Sequence, residues 1–187
     1  MPDDAKYYTT AGDDGTTGLL GKARVKKYHP RPAAYGDVDE AQAALGMARA
    51  AMTDAAAASV ILRAQRDLYH LMAELAATKE NAAKFRRIGA EQVAAIEQQT
   101  DDYGGRITLP PEFTVSGDSV AGAALDFART VIRRAERSVI RLVDDGYVEN
   151  RELIRYLNRL SSLAFVLARY EDALSGQSQV RLAKGDD

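Results

Sequence analysis

The stretch Ser119-Val-Ala-Gly-Ala-Ala-Leu-Asp-Phe-Ala-Arg-Thr-Val-Ile-Arg-Arg-Ala-Glu-Arg-Ser-Val-Ile-Arg-Leu-Val-Asp144 decides the fold class. Its apolar residues Leu125, Ala128, Ile132, Ala135, Val139 and Leu142 alternate steps of three and four. At ~100° per residue they fall within an arc of roughly 120°, the stripe of an amphipathic helix. The same period recurs on both sides. From Asn150 to Asp172 it places Leu153, Leu157, Leu160, Ala164 and Leu167 on one face. From about Ala33 it places Val38, Ala41, Leu45, Ala48 and Met52, and in the next helix Ile61, Leu68, Met72 and Leu75. A weaker helix is expected from about Arg86 to Gln99, broken by Thr100-Asp-Asp-Tyr-Gly-Gly105 and barred from continuing by Pro110-Pro111. Valine and isoleucine nowhere alternate with polar residues long enough to suggest a strand. The expectation is an all-α fold: a five-helix bundle with four long core helices, one shorter helix and an extended N-terminal loop.

The bulk properties agree with one such domain. A chain of 187 residues can bury a real core, and its 46% hydrophobic and 28% charged residues are ordinary for a soluble protein. There are no cysteines, which excludes a disulfide framework, a thiolate metal site and a cysteine nucleophile. The formal net charge of −2 argues against binding nucleic acid. No apolar run is long enough to cross a bilayer, so no membrane role is expected. The acidic start Met1-Pro-Asp-Asp4 is unlike a secretory signal, and a cytoplasmic location is expected. Three segments follow from composition: a glycine-rich stretch 1–30, a helical body 31–175 and a flexible tail 176–187.

Two regions could carry chemistry. Gly12-Asp-Asp-Gly-Thr-Thr-Gly-Leu-Leu-Gly-Lys-Ala-Arg24 can present several backbone N–H groups and hydroxyls to one anion, or can be a disordered tail. It is not a Walker motif: Thr16 stands where the first glycine is required, Ala23 replaces Ser or Thr, and no strand precedes it. The second region is the polar face of the 119–144 helix, with Asp126, Arg129, Arg133, Arg134, Glu136, Arg137 and Arg141. Arg129, Arg133 and Arg137 are four residues apart and lie within ~80° of one another. They suit a triphosphate or a neighbour's carboxylates, or form a solvated face with internal ion pairs. Arg129 and Glu136 border the apolar arc and should be partly buried and paired, yet Arg129 has no clear anion on its own helix. Asn158 points away from its core stripe, with Ser162 and Arg169 near it. Gln65 should satisfy backbone groups. His29 and His70 have no ligand partner at metal spacing.

Four blocks, in order, resemble the PduO-type ATP:cob(I)alamin adenosyltransferases over nearly the whole chain. Tyr8-Thr9 and Gly12 to Gly21, with Arg24-Val25 and Lys27, look like that family's nucleotide loop. Ala34-Tyr-Gly-Asp-Val-Asp-Glu40 looks like its first helix start. Ala128-Arg-Thr-Val-Ile-Arg-Arg-Ala-Glu-Arg137 matches its arginine-rich helix, and Tyr156-Leu-Asn-Arg-Leu-Ser161 its C-terminal motif.

The resemblance implies transfer of the 5′-deoxyadenosyl group of ATP to the cobalt of cob(I)alamin, giving adenosylcobalamin and triphosphate, with Mg2+ on the phosphates. It implies a homotrimer with sites between subunits, and passage of the product to a corrinoid-dependent enzyme. A non-catalytic ATP- or adenosylcobalamin-binding chaperone or sensor is the alternative. ATP would meet Tyr8, Thr9, Gly12, Asp13, Gly15, Thr16, Thr17, Gly18, Arg24 and Lys27 from the loop. From the helices it would meet Arg133, Arg134, Glu136, Arg137 and Asn158, with Glu136 the candidate magnesium ligand. Arg129 would pair with a neighbour's Asp39, and Phe113 would lie beneath the corrin ring and exclude the lower cobalt ligand. Asp118 and Asp126 would also border the corrinoid. The chain departs from the family at Thr10-Ala11, where Lys-Thr is usual, and at Ser116-Gly117-Asp118, which replace Pro-Gly-Gly. It departs also at Asp126, in place of histidine, and at Ser162, in place of aspartate.

Overall fold

The computed structural model describes residues 7–109, 111–176 and 181–184. Four long helices form the body: α1 (Pro30–Ala51), α2 (Ala55–Ala76), α5 (Val120–Asp144) and α6 (Glu152–Leu174), joined by a shorter α4 (Ala90–Gly104) and a one-turn α3 (Ala82–Phe85). In space α2 packs on α1, α1 on α5, α5 on α6 and α6 on α4, while a small α2–α6 contact closes the bundle. The stripes read from the sequence are the core: Val38, Leu45, Ile61, Leu68, Leu125, Ile132, Val139, Leu153, Leu157 and Leu167 are all fully buried. Met52 and Met72 sit at its margin. Among the described residues, no helix is long and apolar enough to cross a membrane.

Helix starts are set by side chains that satisfy the free first-turn N–H groups. Asp54 accepts from Ala56 N at 2.7 Å and Ala57 N at 3.0 Å, and Ser119 Oγ accepts from Gly122 N at 2.9 Å. His29 Nδ1 accepts from Arg31 N at 3.2 Å, with Pro30 at the first helical position. Glu171, buried in α6, accepts from Thr53 and Asp54 and clamps the α1–α2 turn. Gln65 and Gln42 exchange side-chain bonds with each other's backbone carbonyls at 3.1 Å.

Two expectations on elements need correction. The weaker helix starts at Ala90 rather than Arg86, because Arg86 is drawn to buried Glu74 (3.3 Å) and Ile88 is buried in an extended connection. It also runs through Thr100-Asp-Asp-Tyr to Gly104 rather than stopping at Gln99. Tyr103 is buried there, edge-on to Tyr170 at 5.0 Å and covered by Arg106 at 4.5 Å, so packing outweighs the poor helix formers. The chain also holds a two-stranded antiparallel hairpin, β1 (Thr16–Gly18) with β2 (Arg24–Lys26), in register Thr17 to Val25. Strands of three residues are too short to leave an alternating pattern. Pro110 and much of the tail 176–187 lie outside the described residues, but residues 181–184 run antiparallel to the Phe113 segment.

Candidate active site

The glycine-rich segment is a folded hairpin held by its own side chains. Thr9 Oγ1 accepts from Ala11 N (3.3 Å) at a single 3-10 turn, Thr10–Gly12. Arg24 donates to Thr16 Oγ1 (2.7 and 3.1 Å) and to Ala11 O (2.6 Å). Asp14 accepts from Thr16 N and Oγ1, and these bonds hold its carboxyl below the usual value. Gly15 takes a positive φ of 77°, and its carbonyl accepts from Lys27 N at 2.9 Å. A Cβ on Gly12 would stand 3.1 Å from Lys27 Nζ, so the bare backbone lets the ammonium lie over the turn. Tyr8, Asp13 and Gly18 are exposed around this rim, and Thr17 is half-buried in β1. Leu20 docks the hairpin on the end of α2, exchanging backbone bonds with Ala76 O (2.9 Å) and Thr78 N (3.2 Å).

On α5 the polar residues divide by partner. Arg134 reaches Glu40 and Asp37 of α1, and Glu40 raises its pKa. Ser138 donates to the same Asp37. Glu136 Oε1 accepts from Asn158 Nδ2 at 3.0 Å, which joins two of the expected nucleotide residues across α5 and α6. Arg159 donates to Asn158 Oδ1 (2.6 Å) and to Glu97 (2.8 Å), which fixes that amide's orientation. Arg133 and Arg137 are exposed, and among the described residues Arg137 bonds the backbone carbonyl of Arg133. Asp39 is exposed on α1. Among the described residues, no hydrogen bond or ion pair joins the hairpin to α5 or α6, so within one chain the two regions expected to meet ATP are not bonded to each other.

Arg129 corrects the reading of its charge. Its own helix does supply an anion: Nε donates to Asp126 Oδ1 at 3.1 Å, three residues earlier. Asp126 is buried and its second oxygen is taken by Arg169 at 2.5 Å. Asp126, Arg129, Phe113, Thr114 and Phe165 line one open recess of about 350 Å³. Phe113 is 88% exposed and stands between this recess and a second of about 500 Å³, bordered by Ala183 and Lys184. Asp118 does not face the first recess; it pairs with Arg181 at 2.7 Å and holds the 181–184 segment against the loop.

Sequence reasoning misplaced Arg169, which was grouped with the exposed side of its helix and is 4% exposed. Asp126 and Asp172 neutralise it, and burial in turn pushes the Asp172 carboxyl up. The available signal was the pair Arg169–Asp172 at i,i+3 beside an unbroken apolar run, Leu163 to Ala168.

The fold that carries these groups is also seen in solved structures. Two are variants of a PduO-type ATP:corrinoid adenosyltransferase from Lactobacillus reuteri, each 28% identical. A phenylalanine-to-alanine variant complexed with cobalamin and ATP superposes with a TM-score of 0.89 over 96% of this chain and 100% of that one. An arginine-to-lysine variant complexed with ATP gives 0.86 over 95% and 99%. The profile of the cobalamin adenosyltransferase family matches residues 7–171, and the chain belongs to that family. The corrinoid adenosyltransferase of Mycobacterium tuberculosis is 39% identical over 88% of this chain and 87% of its own length. The corrinoid adenosyltransferase PduO of Citrobacter freundii is 40% identical over 92% of this chain. The chain spans about half of that relative's length, 52%.

Proposed function

We propose that this chain transfers the 5′-deoxyadenosyl group of ATP to the cobalt of cob(I)alamin. The observation that carries the reading is the recess in which an exposed phenylalanine, Phe113, stands opposite Arg129. In the reaction a cobalt–C5′ bond forms as the C5′–oxygen bond breaks, and the electron pair leaves on triphosphate. No proton is abstracted, so no general base is required, and His29 is already committed to capping α1. Phe113 excludes water and the lower axial ligand from cobalt, because an apolar ring offers no lone pair. Lys27 and Arg24 of the hairpin and Arg133 and Arg137 of α5 bind the triphosphate and stabilise the charge that grows on it. Tyr8, Thr9, Asp13 and the glycine backbone of residues 12–18 form the rim of that cradle, and Arg134 supports it from the α1 side. Among the described residues there is no cluster of three metal-ligating side chains. Magnesium is commonly held by one or two carboxylates together with substrate phosphates. Glu136, oriented by Asn158, would be that carboxylate, and the ion would supply neutralisation of the leaving group. The segment 1–30 thus serves as the nucleotide-binding part and 31–175 as the body.

Because the two nucleotide groups do not meet within one chain, the reading is completed by a neighbouring copy, and a homotrimer closes the site. Arg129 would then carry Asp126 on one side and a partner's Asp39 on the other. Light scattering should give a mass near three times 20.3 kDa; a clean monomer at micromolar concentration counts against an interface site. The decisive assay is anaerobic incubation with ATP, magnesium and chemically reduced cobalamin, read by spectroscopy and triphosphate release. ATP binding without release would mark a cofactor chaperone or sensor instead.

A further inference from the structure

Arg169 joins three parts of the recess through one guanidinium group. Nη2 donates to Asp126 Oδ2 at 2.5 Å and lies 3.0 Å from Asp172 Oδ2. Nη1 donates to Thr114 Oγ1 at 3.1 Å, in the loop next to Phe113. The guanidinium carbon is 5.7 Å from the ring of Phe165, which lines the recess. The other oxygen of Asp126 holds Arg129, and Asp172 is held in turn by Ser119 Oγ at 2.6 Å. A continuous path therefore runs from the loop, through a guanidinium 3% exposed, to the arginine of the recess.

Stability alone is a poor reason for this arrangement. Buried ion pairs are often no more stable than apolar residues of the same volume. Here Arg169 Nε finds no acceptor among the described residues, an additional cost. What the network does supply is position. Phe113 is too exposed to be held by burial of its own ring; its backbone is held by Ala183 N on Phe113 O (2.7 Å), and its neighbours by Val115 N on Arg181 O and by Arg169 on Thr114. Of these, the Arg169 bond alone ties the loop to α6 and, through Asp126, to Arg129 of α5. We propose that Arg169 is a positioning residue: through Thr114 and Asp126 it sets the placement of Phe113 relative to Arg129, and so fixes the geometry of the corrinoid side of the site. This rests on the adenosyltransferase reading. A lysine cannot replace it, because its single nitrogen cannot span the separate positions from which Nη1 reaches Thr114 and Nη2 reaches Asp126.

The test uses Thr114→Val, which removes the hydroxyl and leaves the buried ion pairs intact. Loss of one hydrogen bond worth about 1 kcal/mol predicts a roughly fivefold rise in corrinoid Kd. The four-coordinate cob(II)alamin signal should fall with it and Tm should drop by no more than the roughly 2–4 °C that one such bond is worth, while ATP KM stays at the wild-type value. Thr114→Ser should restore both corrinoid readouts, and Arg169→Lys should reproduce the Thr114→Val defect. Should Arg169→Lys fail to fold, the Thr114 pair still decides. Wild-type corrinoid binding and signal in Thr114→Val, alongside a clear loss in Phe113→Ala, would overturn the positioning role. Wild-type behaviour in Phe113→Ala as well would instead bring down the functional reading of the recess, and this inference with it.

Discussion

The two loops proposed to meet the two substrates are built on opposite principles. The hairpin of residues 7–27 is held by neighbours close in sequence: Arg24 on Thr16 and Ala11, Asp14 on Thr16, Lys27 N on Gly15 O. Its one distant anchor among the described residues is Leu20 on the end of α2. The Phe113 loop is held by distant partners, Arg169 in α6 and the segment 181–184. A loop that organises itself can meet a flexible, highly charged ligand and adjust around it. A loop referred to the core instead fixes one ring against a rigid planar ligand. On the proposed reading, the nucleotide side should tolerate change by local repair, whereas the corrinoid side should depend on packing far from the loop.

Three substitutions would break or sharpen that contrast. The largest effect is expected from Phe113→Ala. Misplacement at a reacting centre can cost roughly 100-fold, and turnover from cob(II)alamin should fall by about that factor. ATP affinity and Tm should be unchanged because the ring is 88% exposed; steady-state kinetics and differential scanning fluorimetry check both. The defect should shrink when chemically prepared cob(I)alamin is supplied. Lys27→Ala comes next. Removing one charge-assisted contact of ~1.5–3 kcal/mol should raise ATP KM about tenfold or more and leave the corrinoid KM alone. Lys22→Ala, on the exposed turn of the hairpin, should leave ATP KM near wild type. A raised corrinoid KM in Lys27→Ala would show that the two loops are not separable.

The smallest effect belongs to the framework. Asp54→Ala removes a helix cap, which costs about 1 kcal/mol and should lower Tm by roughly 2–4 °C with neither KM altered. Bonds from the Ala57 and Ala56 N–H groups and Tyr170 hold the Asp54 carboxyl below its ordinary 3.8. The wild type therefore has this contribution in full above pH ~4 and loses it as pH falls through the lowered value. Asp54→Asn keeps an acceptor without the charge, and its Tm should change less across that acid window.

Much of the protein was legible in its residues. A helix stripe is set by residues three and four apart and repeated over many turns, so Leu125 to Leu142 identified both a helix and its buried face without reference to a partner. The same geometry foretold that Arg129 and Glu136 would be partly buried and paired. Residue types in order, from the Gly12–Gly21 run to Tyr156–Ser161, were enough to show family kinship. What the chain alone could not settle depends on how the helices rotate against one another. Tyr103 extends α4 only because Tyr170 and Arg106 cover it. Asp126 answers Arg129 within the chain, and it does so while held from behind by Arg169, 43 residues on. Thr114 meets that same arginine across 55 residues. Periodicity is a property of a few successive residues, whereas such meetings exist only after the bundle has packed, and so the recess beside Phe113 was decided by the tertiary structure.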